Sequence, residues 1–199
     1  MRSYFSRIFI PGIVLLLASL LMVGSFFQIL VQAYLQESTL AELKNNSATI
    51  SRLAAAYFAE NEMSGHDFLV NISVAANVSG TDTVICSTDG KLLLCSDAPM
   101  GCVHQGQQVS SDFVSNVLSS GYVASTGKVS GLYDTPRYVV SVPVLSKTGE
   151  AVCIVILSAP ISETSKVISR LSSMYIYISA GTIVVALIIM LVLARKQST

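Results

Sequence analysis

Two stretches without a charged side chain, residues 8–36 and 171–194, constrain this chain more than any other feature. Each exceeds the roughly 20 apolar residues that cross a hydrocarbon core as a helix. Composition agrees: 52% of residues are hydrophobic, 12% are charged and the mean hydropathy is +0.63, whereas soluble domains carry about 25% charged residues. Pro11, Gly12, Gly24 and Gly181 fall inside these stretches and weaken a helix in water, but membrane helices tolerate them. The first stretch has an alternative reading as a cleaved signal peptide, with Arg2 and Arg7 as its basic region. Its apolar run is well beyond the roughly 7–15 residues of a signal core, which favours an uncleaved anchor. The second stretch is too long for an ordinary core helix and is followed by Arg195 and Lys196.

Charge sets the expected orientation. Arg2 and Arg7 precede the first stretch, and all 12 Asp and Glu residues lie in 32–173. Short flanks rich in Lys and Arg stay in the cytoplasm, which predicts cytoplasmic termini and a middle segment outside. Five parts follow: a cytoplasmic N-terminus (1–7), a first transmembrane helix (8–31), an extracytoplasmic domain (32–173), a second transmembrane helix (174–194) and a cytoplasmic end (195–199). The net charge of zero leaves nothing basic enough for nucleic acid.

The segment 32–173 has the size of one domain. Leu40, Leu43, Ile50, Ala54 and Tyr57 recur at helical spacing and predict a helix continuing out of the first span. A shorter helix is expected over 67–76. Thr88-Asp89-Gly90-Lys91 reads as a hairpin turn between strands at 83–86 and 92–95, because Asp-Gly between apolar runs is a strong hairpin signal. A polar loop spans 96–108. Ser110 or Ser111 caps a helix reaching Ser120, with Asp112 in its first turn. Strands are expected at 122–132, 138–145 and 151–159, the last apolar at nearly every position from Val152 to Leu157 and therefore central in its sheet. A helix from about Ile161 enters the second span. The fold class is α+β: a five-stranded antiparallel sheet with a long N-terminal helix and covering helices.

The stretches VICSTDGKLLLCSD (84–97) and GKVSGLYDTPRYVVSVPVLSKTGEAVCIVILSAP (127–160), with LARKQST at 193–199, resemble the N-terminal sensory half of bacterial two-component sensor histidine kinases. In that family two transmembrane helices flank an extracytoplasmic PAS-like (Cache, or PDC) domain. The resemblance implies a cell-membrane protein that senses an unknown small-molecule or ionic stimulus, forms a homodimer and passes the signal to cytoplasmic kinase and response-regulator partners. LARKQST looks like the join to a HAMP linker. Chemoreceptors and membrane diguanylate cyclases share this front half. A stand-alone two-span binding or scaffold protein is the reading from a different class.

Several residues are candidates for function. Arg137 suits a carboxylate or phosphate because its fork makes bidentate, charge-assisted bonds. Tyr122, Tyr133 and Tyr138 offer flat faces and hydroxyls for a small amphipathic ligand. The plain alternative is ordinary strand tyrosines and a surface pair of Arg137 with Asp134. Cys95 and Cys102 flank a short polar loop outside the cytoplasm, where a disulfide can persist. A metal held by Cys95, Cys102 and His104, with Asp97, is disfavoured by the Cys-x-His spacing. Cys86 and Cys153 sit in apolar strands and read as core. Leu40, Leu43 and Ile50 are candidate dimer contacts, though the same face could pack on its own sheet. No phosphate loop or hydrolase motif occurs, so neither catalysis nor a cofactor is expected of these residues.

Overall fold

The computed structural model describes residues 2–59, 66–96, 104, 106–129 and 132–197, with side chains between 10 and 192. The elements are α1 (Arg2–Ala59), α2 (His66–Val78), β1 (Asp82–Ser87), β2 (Leu92–Cys95), α3 (Ser111–Ser120), β3 (Val123–Val129), β4 (Tyr133–Leu145), β5 (Ala151–Pro160) and α4 (Ile161–Gln197). The chain divides into two compact units, one of 1–35 with 164–199 and one of 36–163.

In the first unit the apolar parts of α1 and α4 lie side by side. Their apolar side chains are largely exposed, among them Leu21, Met22, Phe26, Ile178 and Ile188, as expected of helices that present hydrocarbon to lipid rather than to a core. Both helices are long and apolar enough to cross a membrane. Hydroxyls within them bond back to their own helix, Ser19 to the Leu16 carbonyl, Ser25 to Leu21 and Thr182 to Ile178. Such bonds satisfy polar groups where no water is at hand.

The second unit is built on an antiparallel sheet of order β2-β1-β5-β4-β3. β5 is central, and alternation sends its side chains into two cores. Cys153, Val155 and Leu157 join Leu43, Ile50 and Ala54 of α1 with Phe68 and Ile72 of α2 on one face. Ile154 and Ile156 join Val109, Val114 and Val117 of the α3 region on the other. A strand covered on both faces needs an unbroken apolar run, which 152–157 supplies.

Local signals account for the turns. Ser110 caps α3 by accepting from the Phe113 amide, and Gly121 ends it at φ 67° with its N–H on the Val117 carbonyl. Gly90 closes the β1–β2 hairpin at φ 81°, with its N–H donating to the Ser87 carbonyl at 2.9 Å and its own carbonyl accepting from Val109. A Cβ there would lie 2.6 Å from the Val109 oxygen, so both conformation and space require glycine.

Two strand limits differ from expectation. β3 ends at Val129 rather than 132, and β4 starts at Tyr133 rather than 138. The pairing steps from Gly127↔Arg137 to Val129↔Tyr133, an irregularity that places Pro136 where the ladder is already broken. Proline is tolerated at such a bulge, so it does not end the strand.

The proposed dimer contacts are also corrected. Leu43 and Ile50 are 1% and 2% exposed inside the domain's own core, and Leu40 packs at its edge. The sheet takes that face because its apolar side must be covered within the chain.

Candidate functional site

On the sheet face covered by α3, Arg137 projects from β4 and is 8% exposed. Its Nε donates to Ser158 Oγ on β5 at 3.1 Å. Its Nη2 donates to the Asp82 carboxylate at the start of β1, forming an ion pair. Strand pairing explains this reach. Ser158 stands opposite Asp82 on one side and Val139 on the other, so the arginine spans the whole of β5, a distance of about two strand spacings of 4.8 Å. The guanidinium lies 4.3 Å from the centroid of the Tyr133 ring, and His104 meets that ring edge-on at 4.8 Å. His104 Nδ1 is 3.1 Å from Gln107 Oε1.

The arrangement is a buried cation stacked on an aromatic face. Of the five guanidinium N–H groups, Ser158 and Asp82 occupy two, and these are its hydrogen-bond partners among the described residues. Asp82 keeps 55% of its side chain exposed. Chemically, the site can exchange one oxyanion for another at Arg137, or keep Asp82 as a fixed internal counter-ion.

The four expected ligand residues do not converge. Arg137 and Tyr133 share the α3 face. Tyr138 points to the opposite core and is 4% exposed. Tyr122 is exposed, with Lys44 Nζ of α1 5.2 Å from its ring centroid. Asp82, Ser158 and His104 complete the cluster instead, and Asp134 is not the ion-pair partner of Arg137. An open groove among the described residues lies elsewhere, between α1 and α2. Its volume is about 500 Å³, its lining includes Asn46, Leu53, Asn71, Val74 and Val78, and among the described residues no titratable side chain borders it. Position along the strands therefore identifies the Arg137 cluster better than cavity size does.

The cysteines fall into two kinds. Cys86 and Cys153 are free and buried, and they face opposite cores across neighbouring strands, so no bridge joins them. Burial, with the neighbouring Cys153 thiol, pushes Cys86 up to about 12. Burial alone raises Cys153 to about 11. Cys95 is disulfide-bonded; Cys102 lies outside the described residues, as does Asp97. A disulfide-bonded Cys95 has no thiolate to give a metal, and among the described residues no group of three His, Cys, Asp or Glu side chains could hold one.

The fold is the expected α+β one, a five-stranded antiparallel sheet with a long N-terminal helix and covering helices, accompanied by two helices of membrane-spanning length. Solved structures similar to it include two sensor domains and a periplasmic domain. The E. coli DcuS sensor domain matches at 11% identity and TM-score 0.48, over 65% of this chain and 96% of that one. The Vibrio cholerae LuxQ periplasmic domain matches at 14% and 0.45, over 68% and 63%. The V. cholerae histidine kinase DctB sensor domain matches at 12% and 0.38, over 70% and 59%. This chain thus spans less than two thirds of the length of the last two. No family model and no curated protein matches it.

Proposed function

We propose that the chain is the input module of a sensor histidine kinase, detecting a stimulus outside the cytoplasm and passing it across the cell membrane. One observation carries this reading: the central strand of the domain leads into an apolar helix with no intervening loop. β5 ends at Pro160 and α4 begins at Ile161. At the other end, α1 contains the first apolar stretch and also contributes Leu43, Ile50 and Ala54 to the domain core. A change in the sheet therefore acts on backbone that is continuous with both spans. Its size is bounded by the stimulus's differential affinity for the two states.

In this reading residues 8–31 and 174–194 cross the membrane, 32–173 lies outside, and 1–7 and 195–199 face the cytoplasm. A parallel homodimer along α1 would use the exposed side that carries Ala41, Asn45, Ala48 and Arg52, since Leu43 and Ile50 are in the core. The stimulus class best supported by the site is a small oxyanion that competes with Asp82 for Arg137. We infer Cys102 as the partner of the Cys95 disulfide, the pairing expected from the sequence.

Two measurements test it. Protease added outside spheroplasts should cut within 36–163, and protection of that segment would overturn the topology. Thermal melts of the full chain in detergent, against a panel of mono-, di- and tricarboxylates and inorganic phosphate, should show a stabilising anion for the wild type and none for Arg137→Met. No shift with any anion would remove Arg137 as the ligand anchor.

A further inference from the structure

The apolar parts of α1 and α4 meet along a line of opposed residues. Gly12 faces Met190, where an added Cβ would be 3.5 Å from the Met190 methyl. Gly24 faces Tyr175, and Gln28 Nε2 donates to Ser172 Oγ at 3.1 Å. Gly24 is the buried member of the series. A methyl on it would stand 2.7 Å from Tyr175 Cζ and 2.9 Å from its hydroxyl oxygen, so the ring occupies the space that any other residue needs. The Tyr175 hydroxyl donates to the Leu20 carbonyl, one turn before Gly24. Its ring stacks on Phe27 with centroids 6.3 Å apart and planes 19° apart. Leu20, Gly24, Phe27 and Gln28 lie on one helix face.

In lipid no hydrophobic force draws two helices together; close backbone approach and polar contacts do. The hydroxyls of Ser19, Ser25 and Thr182 bond within their own helix, whereas the side chains of Tyr175 and Gln28 reach across. Resting on the reading that both helices span a membrane, we propose that Tyr175 seated on Gly24 is a register pin between the two spans of one chain. It fixes the height and rotation of α4 against α1, and so the state from which signalling departs. Sliding by one helical turn, about 5.4 Å, lifts the ring from its notch and breaks the hydroxyl's bond to the Leu20 carbonyl. Smaller tilts keep the pin engaged and swing α4 about it. Tyr175 acts as a positioning residue.

The test uses the full chain in bilayer nanodiscs carrying Gln28→Cys with Ser172→Cys, oxidised briefly and read as linked peptides by mass spectrometry. The expected product is a 28–172 link within one chain, migrating as a monomer. Adding Gly24→Leu, which preserves apolarity but fills the notch, should slow that link at least tenfold. A slowing of less than tenfold, or links that form only between chains, would overturn the pin. Thermal melts of each variant check that the extracytoplasmic unit is intact. The crosslink reads helix pairing whether or not the chain signals, so a failure of the sensor reading, scored by the anion panel, is separable from a failure of the pin.

Discussion

Arg137 on β4 and Asp82 on β1 form an ion pair across the full width of the central strand, with Ser158 beneath them as a second acceptor. The pair ties three of the five strands through side chains alone. Because the cation is buried and the carboxylate is half in water, the two partners are not equivalent. Removing the carboxylate leaves a buried charge without its counter-ion.

Asp82→Ala should therefore lower stability by about 1–3 kcal/mol, less than the loss for a fully buried pair because solvent reaches Asp82. Arg137→Met in the Asp82→Ala background should recover part of that loss, since an apolar side chain needs no counter-ion. Denaturant melts of the four chains in a double-mutant cycle give the coupling. A coupling indistinguishable from zero would make the pair a surface contact.

Glycine positions separate conformation from space. Gly90→Ala should cost about 2–4 kcal/mol, because it combines a left-handed backbone with a clash against the Val109 carbonyl. Gly149 has φ 86° but nothing within 4 Å of an added Cβ, so Gly149→Ala should cost only about 1 kcal/mol. Equal losses would mean that the Gly90–Val109 approach contributes nothing.

Core and surface sides of α1 should respond oppositely. Leu43→Ala opens a cavity beside the sheet and should destabilise the domain by about 2–5 kcal/mol. Ala48→Ser, on the exposed side, should leave the melt within about 0.5 kcal/mol. Any change it makes should appear instead in the monomer–dimer equilibrium, measured by sedimentation in detergent.

The two free thiols give a pH signature. Burial raises Cys86 and Cys153 from 9.0 to about 12 and about 11. Between those limits the unfolded chain loses protons that the folded chain retains, so stability is fully present below about pH 9 and falls as pH rises towards 11–12. Cys86→Ala with Cys153→Ala should flatten that part of the profile. At pH 8 a thiol reagent should label neither residue in the folded chain. It should find two thiols after unfolding without reductant, and four after reduction, if Cys95 is bonded to Cys102.

The sequence alone determined the elements. An uncharged apolar run, an Asp-Gly turn, a Ser-capped helix ending in glycine and the continuous apolar strand at 152–157 each follow from local chemistry, and all reappear in the structure. β5 lies at the centre of the sheet, as its composition, which requires cover on both sides, leads one to expect. The start of β4 was not legible, since Pro136 is permitted only by the irregular pairing opposite it. Tertiary structure alone decided which side chains meet. Tyr133, Arg137 and Tyr138 are close in sequence, yet alternation sends Tyr138 to the opposite core. Asp82 and Ser158 are far from Arg137 in the chain and come to it only through strand order. The helix face of Leu43 had two possible coverings, another chain or its own sheet, and only the folded arrangement shows that the sheet covers it. Periodicity reveals that a face must be buried; which surface buries it depends on contacts between residues distant in the chain.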